Sequence, residues 1–227
     1  MNSPVVPPTG RSAPPTASLS RASAGLRKRG EQRVDRFVEA ATRIFLEKGY
    51  RQARLSDIVS LAGGSLSTLY AAFGNKEGLA HAIIERQADR FTLVFHDVCL
   101  TTLPADEGLH RLAKHFVEAM LSPESQVLHR LIVGEGPAFP ALRDWYFDHA
   151  VVPNNQLLAG YLRHHRDTAA LVLPQGADVA AQQLGMLMTG DLVLRMSSGH
   201  LGTPDIGEAV KAALAGVDTF LYGALPR

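Results

Sequence analysis

Apolar residues recur every three or four positions along most of the chain, and the period breaks at glycines and prolines. From Glu31 to Lys48, the residues Val34, Phe37, Val38, Ala41, Ile44 and Phe45 fall on one helical face, and Gly49 supplies a C-cap. A short second helix is predicted from Leu55 to Ala62, with Leu55, Ile58, Val59 and Ala62 inward. Gly63 and Gly64 break it. Ser65 caps a third helix through about Ala72, in which Leu69 and Phe73 point to the core. Gly74 and Asn75 stop that helix and open a long fourth one with the stripe Leu79, Ile83, Ile84, Ala88, Phe91, Val94, Phe95 and Val98. Such a helix is long enough to join two domains.

Beyond Pro104 the same period returns. Leu109, Leu112, Phe116 and Met120 mark one helix, Val127, Leu128, Leu131 and Ile132 the next, and Leu142, Trp145, Tyr146 and His149 begin a third. Pro153 lacks an amide hydrogen and is expected to kink or split that helix before Leu157, Leu158 and Tyr161. Residues Val179 to Met196 and Asp205 to Tyr222 complete the set. No segment keeps a two-residue alternation with turn pairs, so the predicted class is all-α.

Composition changes this picture mainly at the N-terminus. Residues 1–30 hold Pro4, Pro7, Pro8, Pro14 and Pro15 with Arg11, Arg21, Arg27, Lys28 and Arg29 and no acid, which predicts a disordered basic arm. Such an arm is either a plain flexible tail or a phosphate- and groove-touching extension. A helical domain over 31–78 and a larger one over 79–227 follow it. Residues 1–80 carry twelve Lys or Arg against six Asp or Glu, a net +6, while the remainder carries eleven against sixteen, a net −5. The basic end attracts polyanions and the acidic end stays off them.

Cys99 is the one cysteine, so no disulfide or cysteine zinc site forms within a chain. His110 and His115 are off one helical face and His164 and His165 are adjacent, so no metal or other cofactor is expected. No apolar run approaches a membrane span, and a cytoplasmic location without membrane partners is expected. No G-x-S-x-G, Walker loop or H-E-x-x-H occurs, which argues against an enzyme.

The stretch Leu55-Ser56-Asp57-Ile58-Val59-Ser60-Leu61-Ala62-Gly63-Gly64-Ser65-Leu66-Ser67-Thr68-Leu69-Tyr70-Ala71-Ala72-Phe73-Gly74-Asn75-Lys76-Glu77 carries the chemistry. Two short helices crossing steeply need a glycine in the turn, and Gly63 is that residue. A helix this short can enter a major groove. Through Thr68-Leu69-Tyr70, Phe73 and Lys76-Glu77, and through Phe45 and Gly49-Tyr50 before them, the segment from Val34 to Ile84 resembles the TetR family. The resemblance implies a three-helix, helix-turn-helix DNA-binding domain followed by a helical domain that binds an effector and dimerises.

In this reading Thr68, Tyr70 and Lys76 contact phosphates, because hydroxyls on an outer surface donate to phosphate oxygens and a cation at a helix N-terminus calls for an anion. Ser56, Leu66, Ser67, Ala71 and Ala72 form the groove face, with Arg54 and the capping Ser65 beside it. Leu66 is alternatively a core residue at the helix edge. The sequence departs from the family pattern at Ala53 and Arg54, where a hydroxyl would cap the second helix, at Gly64, where an apolar residue is usual, and at Ser67.

The segment from Arg130 to Pro140, followed by Trp145-Tyr146-Phe147, resembles AefR-like C-terminal domains. This resemblance implies a homodimer through the last two helices, about residues 178–197 and 205–222, with Gly185 and Gly190 allowing close approach or marking a kink. It also implies a palindromic double-stranded DNA operator and repression relieved by a small lipophilic effector. Phe116, Met120, Trp145, His149, Tyr161, Met186 and Met188 are the candidates for lining its pocket, with plain core as the alternative for each. A purely architectural DNA-binding protein would have no need of a cavity of roughly 300 Å³ or more.

Overall fold

The computed structural model describes residues 16–99, 103–200 and 205–222, with side chains placed from residue 30 onward. Among them all regular structure is helical and no strand forms. The helices are α1 (Thr16–Gln52), α2 (Leu55–Ala62), α3 (Leu66–Phe73), α4 (Lys76–Cys99), α5 (Ala105–Met120), α6 (Pro123–His129), α7 (Pro140–Tyr146), α8 (Val152–Asp167), α9 (Ala177–Thr189), α10 (Leu192–Ser198) and α11 (Ile206–Tyr222). Two π-helical turns, Arg130–Gly134 and Phe147–Val151, extend α6 and join α7 to α8.

The expected arm falls partly outside the described residues, and the rest of it is helical, because α1 begins at Thr16 and not at Glu31. No proline occurs between Pro15 and Pro104, and the intervening Ala17, Leu19, Ala22, Ala24, Leu26, Arg27 and Lys28 are strong helix formers. Once Phe37, Val38, Ala41, Ile44 and Phe45 dock, extending the helix backwards costs no new nucleus. At the other end Gly49, at φ 75°, breaks the helix where a C-cap was expected, and one more turn follows to Gln52.

Those α1 residues pack with Ile58 of α2, Leu69 of α3 and Leu79, Ile83 and Ile84 of α4. Val127, Leu128, Leu131, Ile132 and Leu142, from α6, the first π turn and α7, belong to the same core. Packing therefore runs on across the expected boundary at 78 and 79. The lower half of α4 gives Phe95 and Val98 to a second core with Leu109, Leu112 and Val117 of α5, Leu158 and Leu162 of α8, Leu184 of α9 and Val217 of α11.

Where α4 meets α5, the buried Gln87 donates from Nε2 to the Ala119 carbonyl at 3.0 Å and accepts from the Ser122 hydroxyl at 3.2 Å. The amide is satisfied on both sides, which fixes the register of α4 against the start of α6. Pro153 sits at the start of α8 and is accommodated without a split, since the π turn Phe147–Val151 absorbs the missing hydrogen bond.

One long helix from Val179 to Met196 does not form: Gly190, at φ 53°, ends α9, and α10 starts after Asp191. Within the chain, a β-carbon on Gly185 or Gly190 would meet nothing within 4 Å, whereas at Gly216 of α11 it would collide with the Leu187 carbonyl. The two helices meet backbone to backbone there.

Candidate nucleic-acid interface and adjoining cavity

Leu69 is fully buried and pins α3 to the first core, with Phe73 edge-on to Phe37 at 6.2 Å. The opposite side of so short a helix is then turned outward. Gly63, at φ 69°, closes α2 by donating its N–H to the Val59 carbonyl at 3.0 Å. At Gly64, φ 152°, a β-carbon would lie 3.0 Å from the Phe37 ring, so the ring occupies the space an apolar turn residue would use. This accounts for the departure from the family pattern at that position.

Ser65 caps α3, accepting from the Thr68 N–H at 3.2 Å, and its hydroxyl also lies 2.8 Å from Ser67 Oγ and 2.9 Å from Thr68 Oγ1. Three hydroxyls are thus gathered at the N-terminus of α3, where the backbone dipole is positive. Leu66 is 42% exposed and Tyr70 50% exposed, and Ser67, Ala71 and Ala72 share that open side. Leu66 is therefore not a core residue. The Tyr70 hydroxyl has no partner among the described residues, unlike the hydroxyls around Ser65.

Ser56 and Arg54 are exposed at the start of α2. Arg54 stands at the N-cap in extended backbone with no side-chain cap bond, as its residue type dictates. Asp57, whose carboxyl lies beside the Lys48 ammonium at 2.7 Å and is held below the usual carboxylate range chiefly by that hydrogen bond, closes the other side of α2. Replacing Arg54 by Ser supplies the missing cap. Arg54→Ser is expected to raise folding stability by about 1 kcal/mol in urea melts. The same variant is expected to bind DNA more weakly and to lower the salt slope by roughly one unit. A variant that is stabilised and binds unchanged would remove Arg54 from the interface.

Lys76, expected at a phosphate, is engaged within the chain. Its ammonium donates to the carbonyls of Tyr50 at 2.9 Å, Ala53 at 3.1 Å and Arg51 at 3.3 Å, and lies 4.6 Å above the Tyr50 ring centre. The last carbonyls of a helix have no partners within it and carry the negative end of its dipole. The compensating negative charge thus comes from α1. Asn75 caps α4 through its side-chain oxygen, which accepts from Gly78 N–H at 2.8 Å.

The end of α1 also touches the other half of the molecule. Tyr50 meets Phe139 edge-on at 5.0 Å, Arg51 pairs with Glu135 at 2.8 Å, and Arg130 Nη1 donates to the Leu46 carbonyl at 3.2 Å. Next to Arg130, the His129 ring lines a half-open cavity of about 170 Å³ between α4, α5, α6, α7, the second π turn, α8, α9 and α10. Phe91, Phe95, Phe116, Met120 and Met188 supply its apolar wall, and Tyr146 and Asn154 join His129 as its polar side.

Of the residues expected at a pocket, Phe116, Met120 and Met188 line this cavity. The other four lie elsewhere. Trp145 and His149 stack on each other at 4.8 Å, with Trp145 against His81 of α4. Tyr161 is buried in the second core and donates to the Leu103 and Pro104 carbonyls. Met186 is 76% exposed on the outer side of α9. The missed residues are Phe91, Phe95, His129, Tyr146 and Asn154; a polar pair, Asn154-Asn155, inside an apolar helix was the available signal.

Cys99 packs against the second core, and burial pushes its thiol up to about 12, so it is an inert packing group. Among the described residues no cluster of His, Cys, Asp and Glu could hold a metal, and no helix is long and apolar enough to cross a membrane.

A helix-turn-helix mounted on a long connecting helix, with an apolar cavity directly behind it, defines a helical DNA-binding regulator. The chain belongs to the TetR family of bacterial regulatory proteins, whose model matches residues 37–83, and the AefR-like transcriptional repressor C-terminal domain matches residues 107–223. It is similar to the HTH-type transcriptional repressor ComR of Escherichia coli K12, at 40% identity over 68 residues. That match takes in 29% of this chain and 32% of ComR, about a third of that relative's length.

Solved structures share the fold over most of the chain. A TetR-family regulator from Mesorhizobium loti superposes with a TM-score of 0.68 at 21% identity, covering 85% of this chain and 96% of its own. FadR of Bacillus subtilis, solved with stearoyl-CoA, gives 0.65 at 15% identity, covering 84% and 98%.

Proposed function

We propose that this TetR-family transcriptional regulator is a homodimeric, cytoplasmic repressor that grips a palindromic operator through α3 and is released by a small lipophilic effector. The observation that carries the reading is the outward side of α3: an exposed phenol without a protein partner beside a cluster of hydroxyls at a helix N-terminus. Tyr70 and Thr68 contact phosphates, Ser65 orients Thr68, and Arg54 and Ser56 reach the backbone at the start of α2. Leu66, Ser67 and Ala71 meet base edges, where an apolar side chain reads thymine methyls and a hydroxyl reads either donor or acceptor. Lys76 acts one step back, by holding the end of α1 under α4.

The effector enters the cavity behind His129. A volume of about 170 Å³ falls short of the roughly 300 Å³ at the lower end of drug-sized ligand sites, so the effector is compact. Because His129 and Arg130 are neighbours, occupation of the cavity shifts the arginine that holds α1 and alters the spacing of the two recognition helices. Half-sites lie one DNA turn apart, roughly 34 to 36 Å, so a small change in that spacing lowers affinity.

Tyr70→Phe removes one oxygen and tests the DNA contact directly. On an operator selected from a random duplex pool, anisotropy titration is expected to give about tenfold weaker binding, with the same loss on unrelated duplex. Thermal stability is expected to stay unchanged. Wild-type affinity in this variant would rule out the phenol as a phosphate donor.

A further inference from the structure

We propose that the cavity accepts a neutral, single-ring molecule carrying a hydroxyl that both donates and accepts, a ligand of the phenol class. The inference rests on the cavity being the effector site and adds the chemistry of its occupant.

Size is the first constraint. A sphere of 170 Å³ is about 7 Å across, and a dry cavity of roughly 150 Å³ in another protein holds benzene. One ring matches this volume. The wall matches a ring in kind, since Phe116 sits 5.3 Å from Phe91 and 5.6 Å from Phe95, tilted to one and edge-on to the other. A fourth aromatic ring continues such an arrangement.

Polarity is the second constraint. Asn154 is only 5% exposed, lines the cavity, and its Oδ1 has no hydrogen-bond partner. A buried amide oxygen in that state is costly unless something supplies a donor. His129 is 8% exposed and directs Nδ1 at the Ser125 carbonyl, 2.7 Å away, so Nδ1 carries the hydrogen and Nε2 is left with a lone pair. Burial lowers the pKa of this imidazole and keeps it neutral. The amide NH₂ groups of Asn154 and Asn155 and the Tyr146 hydroxyl also line the cavity as donors.

Charge is the third constraint. No Asp, Glu, Lys or Arg lines the cavity, so a carboxylate or an ammonium would be desolvated with no counter-ion. A plain hydrocarbon would leave Asn154 Oδ1 and His129 Nε2 unpaired. A hydroxyl on a ring answers all three conditions, donating to one acceptor and accepting from the amide or from Tyr146.

The test is calorimetric titration of the full-length protein with phenol, toluene and benzoate, which share a ring and differ in polarity. Phenol is expected to bind at least about tenfold more tightly than toluene, because an unpaired buried group penalises the analogue that lacks the hydroxyl, and benzoate is expected to bind weakest. In Asn154→Leu the order of phenol and toluene is expected to reverse. Tyr146→Phe, which removes one oxygen and keeps the packing, is expected to weaken phenol and leave toluene unchanged. Toluene equal to phenol in the wild type, or no binding by any of the three, overturns the inference. Operator affinity is read separately. Phenol that binds in the expected order and leaves operator affinity unchanged removes the effector reading while the ligand class stands. Release by a charged or multi-ring compound that displaces phenol from the cavity removes the ligand class while the effector reading stands.

Discussion

Met186→Glu is expected to leave each subunit folded, convert the dimer to monomers, and weaken binding to a palindromic duplex by roughly 10²- to 10⁴-fold. Met186 is largely exposed on α9, and Val179 and Leu187 on the same helix and Ile206 on α11 are exposed beside it or on its packing partner. Single exposed apolar residues are ordinary, but several on two helices packed together form a surface that costs free energy in water. In the proposed homodimer, a second copy of the same surface across a twofold axis would cover it.

The side chain is 76% exposed, so the fold is expected to tolerate glutamate at 186. In the dimer each carboxylate would face apolar neighbours without a partner, a large penalty. Sedimentation then reads the association state, and anisotropy compares a full operator with a single half-site. The half-site affinity is expected to be unchanged, since α3 is untouched and only the linked second contact is lost. A variant that remains dimeric would move the interface away from α9 and α11.

Lys76→Ala is the second large effect. Three charge-assisted hydrogen bonds and a cation–aromatic contact are lost together, and the Tyr50, Arg51 and Ala53 carbonyls lose their donor. Hydrogen bonds from charged groups contribute about 1.5 to 3 kcal/mol each when buried, but this ammonium is half-exposed and water replaces part of the loss. A net destabilisation of about 2 to 3 kcal/mol is expected, lowering the melting temperature by roughly 5 to 10 °C. The measurement is made without DNA, which separates the two roles. A residue that only met phosphate would weaken DNA binding and leave the melting curve where it was. Lys76→Met, which keeps the chain over Tyr50, is expected to fall between wild type and Lys76→Ala.

The α2–turn–α3 unit was legible because its determinants are local. Gly63, Ser65, Gly74 and Asn75 each act within four residues of their own position, and the structure has helix ends at those places. The sequence around Lys76 calls for electron-rich partners, and within the chain these are carbonyls more than twenty residues away, at and just beyond the end of another helix. Periodicity carries no information at that range.

The cavity was least legible for the same reason. Phe91 and Phe95 belong to a stripe that looks like plain packing, and only the meeting of seven helices leaves a space in front of them. Trp145 and His149 have the right spacing for a pocket and the wrong side of α7 and the second π turn, where they stack together near His81. At the N-terminus, the prolines dominated the composition of residues 1–30 and hid the proline-free half that extends α1.

The adjacency of His129 and Arg130 has a bearing on how such a regulator changes its ligand. One residue lines the cavity and the next holds the Leu46 carbonyl, so under the proposed function input and output would be separated by a single peptide unit. The phenylalanines and Asn154, on other helices, could then be exchanged to suit a new compound without disturbing that link. Chemical taste and mechanical transmission would be written in different parts of the chain, and the first could drift while the second is kept.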